Sequence, residues 1–131
     1  ANELTVKTAF LTLLYNDTFY IMDSERPIER RYADLTMIVR PDMRQYELLD
    51  MLIEFKYIKI KETGLDSKTI RKMKQEELIK LPSVRKELEA AENQANEYGK
   101  KLEEIHGGIL RLRRYAVVSV GFDRLVWKEI V

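Results

Sequence analysis

The chain has 131 residues, of which 45% are apolar and 34% charged, and this composition is typical of one globular domain with a real core. A net charge of +1 does not indicate a nucleic-acid binder, so any such surface must be local. Cysteine is absent, which excludes disulfides and thiolate metal sites and favours a reducing, cytoplasmic location. We expect no membrane partner and no export signal, because no span-length apolar run and no basic-then-apolar leader is present.

The first half of the chain predicts one helix followed by three strands. Apolar residues recur at helical spacing over 3–16, and Asn2 can cap this helix. Strand patterns follow at 18–29, 32–40 and 48–60. Pro27 weakens the end of the first strand, and the stretch PDMRQYE at 41–47 predicts a hairpin connection between the second and third.

The second half predicts helices and then two more strands. A short helix is indicated by Ile70, Met73, Glu77 and Leu81. A longer helix follows, with Ser83 as its cap and His106 at its end, where two glycines come next. The closing stretches LRRYAVVSVGF and RLVWKEIV predict two strands joined around Asp123. The whole chain, 1–131, is therefore predicted to be one α/β domain with a mixed β-sheet flanked by helices, and its abrupt helical start is compatible with excision from a longer protein.

The third predicted strand, LLDMLIEFKYIKI, carries two charged residues in an otherwise apolar run. Glu54 and Lys56 are costly in a buried strand unless they are paired, solvated at an edge or kept for a purpose. If the preceding hairpin connection is centred near Arg44, Asp34 lies opposite Glu54 on one face of the sheet. Lys56 is two residues further along and shares that face, so the three side chains are predicted to lie together.

This combination of side chains predicts a particular chemistry. Two neighbouring carboxylates repel each other unless a divalent cation lies between them, and oxygen ligands favour Mg²⁺ or Mn²⁺. Such an ion can hold a phosphate oxygen and lower the pKa of a bound water. A neighbouring lysine can orient that water and stabilise charge on the phosphate oxygens. The arrangement is suited to phosphodiester hydrolysis.

The same residues carry a family resemblance. Asp34 followed by Glu54-Phe55-Lys56 at the end of an apolar strand resembles the PD-(D/E)xK nuclease superfamily. The stretch QANEY, with Gln94 and Tyr98 one helical turn apart, looks like the Q-xxx-Y helix of one large branch of it. The closing AVVSVGFDRLVWKEI looks like the final strands of nuclease-like domains that follow an AAA-ATPase-like domain in many bacterial and archaeal proteins.

The resemblance implies a restriction-endonuclease-like core in α-β-β-β-α-β order and a Mg²⁺-dependent nuclease that acts on DNA. By position, Asp34 and Glu54 would be the metal ligands and Lys56 the catalytic lysine. Gln94 would support the site from the long helix. An AAA-ATPase-like domain in the same chain is the partner that the resemblance suggests.

Two further acidic positions bear on the site. The family often adds a glutamate from the first helix, for which Glu3 is the candidate and Glu25, on the first strand, the competitor. The literal Pro41-Asp42 dipeptide is rejected, because it lies in the hairpin connection, about 25 Å along the strand direction from Glu54.

Simpler interpretations stand beside these. The Asp and the Glu–Lys pair can be solvated charges at a sheet edge, Tyr98 can be a core residue, and Glu3 and His106 can be ordinary helix-end residues. At the level of function, the alternative is a nuclease-like module with weak or no cleavage that binds DNA or docks an ATPase partner. A third possibility is a structural domain that self-associates through the long helix. No Gly-rich phosphate loop is present, which excludes nucleotide binding by that device.

Overall fold

The computed structural model describes residue 16, residues 18–28 and residues 31–131, with the backbone alone at 23–28 and 31–34. The strands are β1 (Tyr20–Ile28), β2 (Arg31–Val39), β3 (Asp50–Ile58), β4 (Leu112–Val120) and β5 (Arg124–Ile130). The α-helices are α1 (Ser67–Lys72), α2 (Gln75–Lys80) and α3 (Pro82–His106). Short 3-10 turns occupy Pro41–Met43, Ile60–Thr63 and Gly107–Ile109. The helix predicted over 3–16, and Glu3 with it, lies outside the described residues.

The five strands form one mixed sheet in chain order. β1, β2 and β3 are antiparallel neighbours, β4 runs parallel to β3, and β5 is antiparallel to β4. The parallel step from β3 to β4 needs a crossover connection, which α1, α2 and α3 supply. The predicted α/β class, with a mixed sheet flanked by helices, is therefore confirmed.

Strand alternation divides the core into two clusters on opposite faces of the sheet. One face, here called the helix face, packs against α3. Its cluster includes Leu52, Ile58, Ala91, Ala95, Tyr98, Ala116 and Val118. The opposite cluster contains Leu35, Met37, Ile53, Phe55 and Val117. Because β3 contributes to both clusters, its sequence reads as a nearly continuous apolar run rather than an alternating one.

Two helix predictions were wrong in detail. The short helix is two helices, because Met73 takes an extended conformation with ψ at 147° and interrupts it. The guanidinium of Arg124 fills the break by donating to the carbonyls of Ile70 and Met73. Ser83 does not cap the long helix: Leu81 occupies the N-cap position, and Pro82 starts α3 because its missing N–H is not needed there.

The end of α3 agrees with the sequence. The helix stops at His106, and Gly107 follows with φ at 67°, a left-handed value that glycine adopts without strain.

None of the described helices is both long and apolar enough to cross a membrane. The longest, α3, has 25 residues, but it contains too many charged side chains.

Candidate functional site

The β2–β3 pairing sets the geometry of the candidate site. The pairs are Leu35 with Ile53, Thr36 with Leu52, and Met37 with Met51. Every one of these pairs is centred on residue 44, the midpoint assumed for this connection in the sequence argument. Continuing this register by one residue places backbone position 34 opposite position 54, and that further pair remains a prediction.

Glu54 lies in the interior of the protein. Its side chain is only 1% exposed, although it is a carboxylate in the middle of a strand. The alternate residues Leu52 and Ile58 belong to the helix-face cluster, so Glu54 points to the same side, toward α3. A buried carboxylate of this kind is rare in a core and is the feature of β3 that most requires an explanation.

Lys56 follows Glu54 on the helix face and is half-buried. Its backbone pairs with Val118 of β4, and that of Glu54 pairs with Ala116. The β4 residues beside this pair are small and apolar, and α3 contributes Ala91 and Ala95 to the same cluster. Small neighbours leave room for the longer polar side chains of β3.

Gln94 and Tyr98 have different environments. Tyr98 is 2% exposed and belongs to the helix-face core, as the simpler interpretation expected. Gln94 is exposed and lies on the flank of the buried stripe. Gln94 is nonetheless halfway along α3, and Glu54 is halfway along β3, the strand against which α3 packs. Its role in supporting the site remains a prediction.

The β1–β2 hairpin sets the register of Glu25, the competitor of Glu3 that the sequence assigned only to the first strand. Ser24 pairs with Leu35 and Arg26 with Ala33, so backbone position 25 lies at the register level of position 34. Glutamate, aspartate and glutamate thus occupy one row across β1, β2 and β3. The signal was present in the sequence, since two strand patterns separated by two residues predict a tight hairpin and fix its register.

Asp42 lies where the sequence argument put it, away from this row. It is in the 3-10 turn Pro41–Met43, its side chain is 72% exposed, and it forms a long ion pair of 3.8 Å with Arg40. Its ion pair is with a neighbouring exposed residue rather than with the helix face at Glu54, which is consistent with rejecting the literal Pro-Asp dipeptide.

A second buried carboxylate lies at the start of β3, four residues before Glu54. Asp50 begins β3 and is 0% exposed. Its oxygens accept hydrogen bonds from the backbone N–H groups of Val39 and Arg111, at 2.7 and 2.9 Å, and from both terminal nitrogens of Arg44, each at 2.9 Å. One side chain therefore joins the end of β2, the start of β3 and the segment that enters β4.

The ionisation of Asp50 follows from these contacts. Burial is the largest single influence and by itself raises the pKa of this carboxyl. The hydrogen bonds from Arg44, Val39 and Arg111, together with the Arg44 charge, outweigh it and hold the pKa of Asp50 below its usual value. Nearby, burial and then the Asp50 charge raise the pKa of Tyr20, whose hydroxyl donates to the Leu49 carbonyl at 2.8 Å.

Among residues with described side chains, no group of three His, Cys, Asp or Glu is arranged to hold a metal ion. Asp34 and Glu25 lie outside that set, since only their backbones are described. The oxygens that Glu54 and the acids at these register positions offer are of the type that Mg²⁺ and Mn²⁺ prefer.

No protein-family model, curated protein or solved structure matches the chain significantly. The candidate site therefore depends on the residues of this chain and on the strand register that aligns them.

Proposed function

We propose that the protein is a metal-dependent nuclease with a restriction-endonuclease-like core, and that it hydrolyses DNA phosphodiester bonds with a water molecule as nucleophile. The observation that carries this proposal is the β2–β3 register, which is centred on residue 44 and, continued by one residue, sets position 34 opposite the buried Glu54.

Asp34 and Glu54 are the proposed ligands of a Mg²⁺ or Mn²⁺ ion. A cation between them explains why a carboxylate stays in the interior beside a second acid position, since opposite charge offsets both repulsion and desolvation. When bound, such an ion supplies Lewis acidity to a phosphate oxygen and acidity to a water. The donor types present in this row fit that role.

Lys56 is the proposed catalytic lysine. It follows Glu54 on the same face and is half-buried. Its aliphatic stem can pack on the helix side of the sheet while the ammonium group stays in contact with water. There it orients the attacking water and stabilises charge on the phosphate oxygens. Gln94, at the middle of α3, is proposed to contact the substrate or the water from the opposite layer.

Glu25 is proposed as the third acidic ligand in preference to Glu3. The β1–β2 register sets position 25 level with position 34, so the acid row extends across three neighbouring strands. The row begins beneath α3, which packs on β3 and β4, and continues across β2 to β1.

One observation favours the alternative function. Glu54 is only 1% exposed, which leaves little of that carboxylate within reach of a phosphate group. A nuclease-like module that binds DNA, or docks an AAA-ATPase-like partner, without cleaving would tolerate such burial. Titration calorimetry discriminates the two, because the nuclease takes up Mg²⁺ or Mn²⁺ and the module remains folded without taking up either.

The proposal is tested by DNA cleavage with supercoiled and linear substrates in Mg²⁺ or Mn²⁺. We expect Lys56→Ala and Glu54→Gln to lose about 100-fold or more of the metal-dependent rate, the scale of a lost electrostatic or acid–base group. Asp42→Asn is the matched control, since it removes the exposed acid of the literal Pro-Asp dipeptide and should leave the rate unchanged. Metal-dependent cleavage that survives Lys56→Ala would remove this lysine from the mechanism.

A further inference from the structure

We propose that a cavity at the end of α3, here called the base cavity, binds an unpaired nucleobase of a DNA strand. The inference rests on the proposed function for the strand that carries this base, and it narrows the substrate to DNA with a single-stranded stretch. The residues that carry it lie outside the acid row.

The base cavity lies between the end of α3, the β1–β2 pair and the turn Pro41–Met43. Its volume is about 310 Å³, at the lower end of the range of small-molecule sites. The lining is mostly apolar, and it includes Ile21, Ile38, Pro41, Ile109, Arg44 and His106. Ile21 is 43% exposed and Ile109 is 60% exposed. Apolar surface left open around a cavity of this size is typical of a binding site.

One polar atom of the lining lacks a partner. The Nε2 atom of His106 is buried and forms no hydrogen bond with any residue that the structure describes. Most buried side-chain nitrogens have a partner, and one without it carries the cost of its desolvation. The edge of a nucleobase offers both hydrogen-bond donors and acceptors, so it can satisfy this nitrogen in either tautomer of the imidazole.

The charges at the cavity favour a neutral ligand group with phosphates beside it. The guanidinium of Arg44 is neutralised by its bidentate pair with Asp50, and none of the described residues of the lining is acidic. The interior is therefore close to neutral, as a nucleobase requires. At the margin, Arg111 is exposed and Arg40 has only a long, exposed ion pair. These two cations are suited to the phosphate groups on either side of the base.

The base cavity and the acid row are on the same face of the sheet. Ile38 belongs to the helix-face cluster, and its β1 partner Ile21 lies on that face as well. Positions 34 and 25 are four residues away along these two strands, a distance of about 13 Å. No more than about four stacked nucleotides span it, since one strand rises about 3.4 Å per nucleotide. A DNA strand held at the acid row can thus place a base in the cavity, provided that this base is free of its complement.

The chain has one histidine, so the imidazole NMR signals of His106 report on the cavity without ambiguity. In metal-free buffer, where the proposed reaction does not proceed, we expect thymidine monophosphate and a short thymidine strand to shift these signals. Inorganic phosphate and an abasic strand of the same length should not shift them. Shifts of equal size with the abasic strand, or no shift with any of these probes, would overturn the proposal.

Two further comparisons identify the source of the ligand. Tighter binding of the thymidine strand than of the monophosphate supports DNA, whereas equal affinities would overturn that assignment in favour of a free nucleotide. N-acetyl-leucinamide represents an apolar side chain of a protein partner. A shift of the His106 signals with this amide alone would overturn nucleobase binding.

Ile109→Glu is the test variant, because it sets a negative charge at the mouth of the cavity. Phe122→Glu is the matched control, since it makes the same charge change at the same 60% exposure in the turn before β5. We expect Ile109→Glu to weaken binding of the thymidine strand by about tenfold, the scale of losing contact with one base, and Phe122→Glu to bind like the wild type. Equal affinities of the two variants would overturn the proposal.

The result is distinguishable from a failure of the proposed nuclease activity. Lys56→Ala should bind the thymidine strand like the wild type, because this lysine is outside the base cavity. A protein that shifts its His106 signals with the strand but does not cleave would refute the nuclease and retain the base cavity. A protein that cleaves single-stranded DNA without any shift of these signals would refute the base cavity alone.

Discussion

Arg44 and Asp50 form a bidentate ion pair across the connection between β2 and β3, with two N–O distances of 2.9 Å. The Asp50 side chain is fully buried and that of Arg44 is 22% exposed. Because Asp50 also accepts from the backbone N–H groups of Val39 and Arg111, this pair holds three strands in register at the end of the sheet below Glu54. The geometry of the candidate site depends on that register.

Asp50→Ala is expected to lower the free energy of unfolding by about 3 kcal/mol, since it leaves a partly buried guanidinium and two buried N–H groups without their acceptor. Urea denaturation followed by circular dichroism measures the change. Asp42→Ala is the matched control, because its ion pair with Arg40 is exposed and 3.8 Å long, and it should cost less than about 0.5 kcal/mol. Equal effects of the two substitutions would show that the Asp50 network does not stabilise the fold.

The same carboxyl predicts how stability depends on pH. The folded-state pKa of Asp50 lies below its ordinary value of 3.8, so the unfolded chain binds the proton more tightly. The stabilisation is therefore fully present above the ordinary value and is lost as the pH falls through the folded-state pKa. Hydrogen bonds from Thr69 lower the pKa of Asp66 in the same direction. Unfolding measured between about pH 6 and pH 2 should show a loss of stability that is smaller in Asp50→Asn.

Arg124→Ala is expected to destabilise the crossover between β3 and β4. Its guanidinium donates to the carbonyls at the end of α1, including that of Ile70 at 3.1 Å. A hydrogen bond from a charged donor contributes about 1.5–3 kcal/mol, so we expect a loss in that range in urea denaturation. Arg113→Ala is the control, since Arg113 is half-exposed and forms only a 3.4 Å ion pair with Glu129. Loss of amide protection confined to α1 and α2 would identify the affected elements.

Glu54→Gln should separate folding from metal binding. The substitution changes a carboxylate to an amide at nearly constant volume, so the variant is expected to fold and can be compared with the wild type in metal-free buffer. Mn²⁺ should raise the melting temperature of the wild type, because an ion that binds only the folded state stabilises it. The variant lacks the Glu54 carboxylate, so its melting temperature should not change. A Mn²⁺-induced shift of the same size in both proteins would exclude Glu54 as a ligand.

The choice between the two candidate third acids is also measurable. Glu25→Gln is expected to weaken Mn²⁺ affinity by about tenfold, measured by titration calorimetry. Mutating groups that support a metal site typically lowers metal affinity by about 10- to 100-fold, and we expect the lower value here. Glu3→Gln is the comparison and should leave the affinity unchanged. The reverse result would assign the third acid to the first helix rather than to β1.

The sheet could be predicted largely from the sequence, because its signals are local. Period-2 patterns and a connection centred on Arg44 were sufficient to predict the register that Leu35 and Ile53 show. The end of α3 at His106 followed from the glycines after it. By contrast, the break at Met73 is stabilised by Arg124, a residue 51 positions away, and no local pattern could indicate it.

The candidate site was less predictable than the sheet. The depth of Glu54 results from packing of α3 over β3, and the strand sequence does not contain that information. The Asp50 network combines acceptors and donors from three distant segments for the same reason. The register that sets Glu25 beside position 34 could also be predicted from the sequence. It requires the midpoint argument used for the β2–β3 connection to be applied to the β1–β2 hairpin as well.

The most direct measurement is a crystal structure of the chain soaked in Mn²⁺, with the ion located by its anomalous scattering. The account predicts one strong peak on the helix face, within about 2.6 Å of carboxylate oxygens from both Asp34 and Glu54, the range of oxygen ligands around divalent cations of this kind. It is contradicted if the Asp34 side chain lies on the face opposite Glu54, or if both carboxylates share the helix face and no Mn²⁺ binds between them.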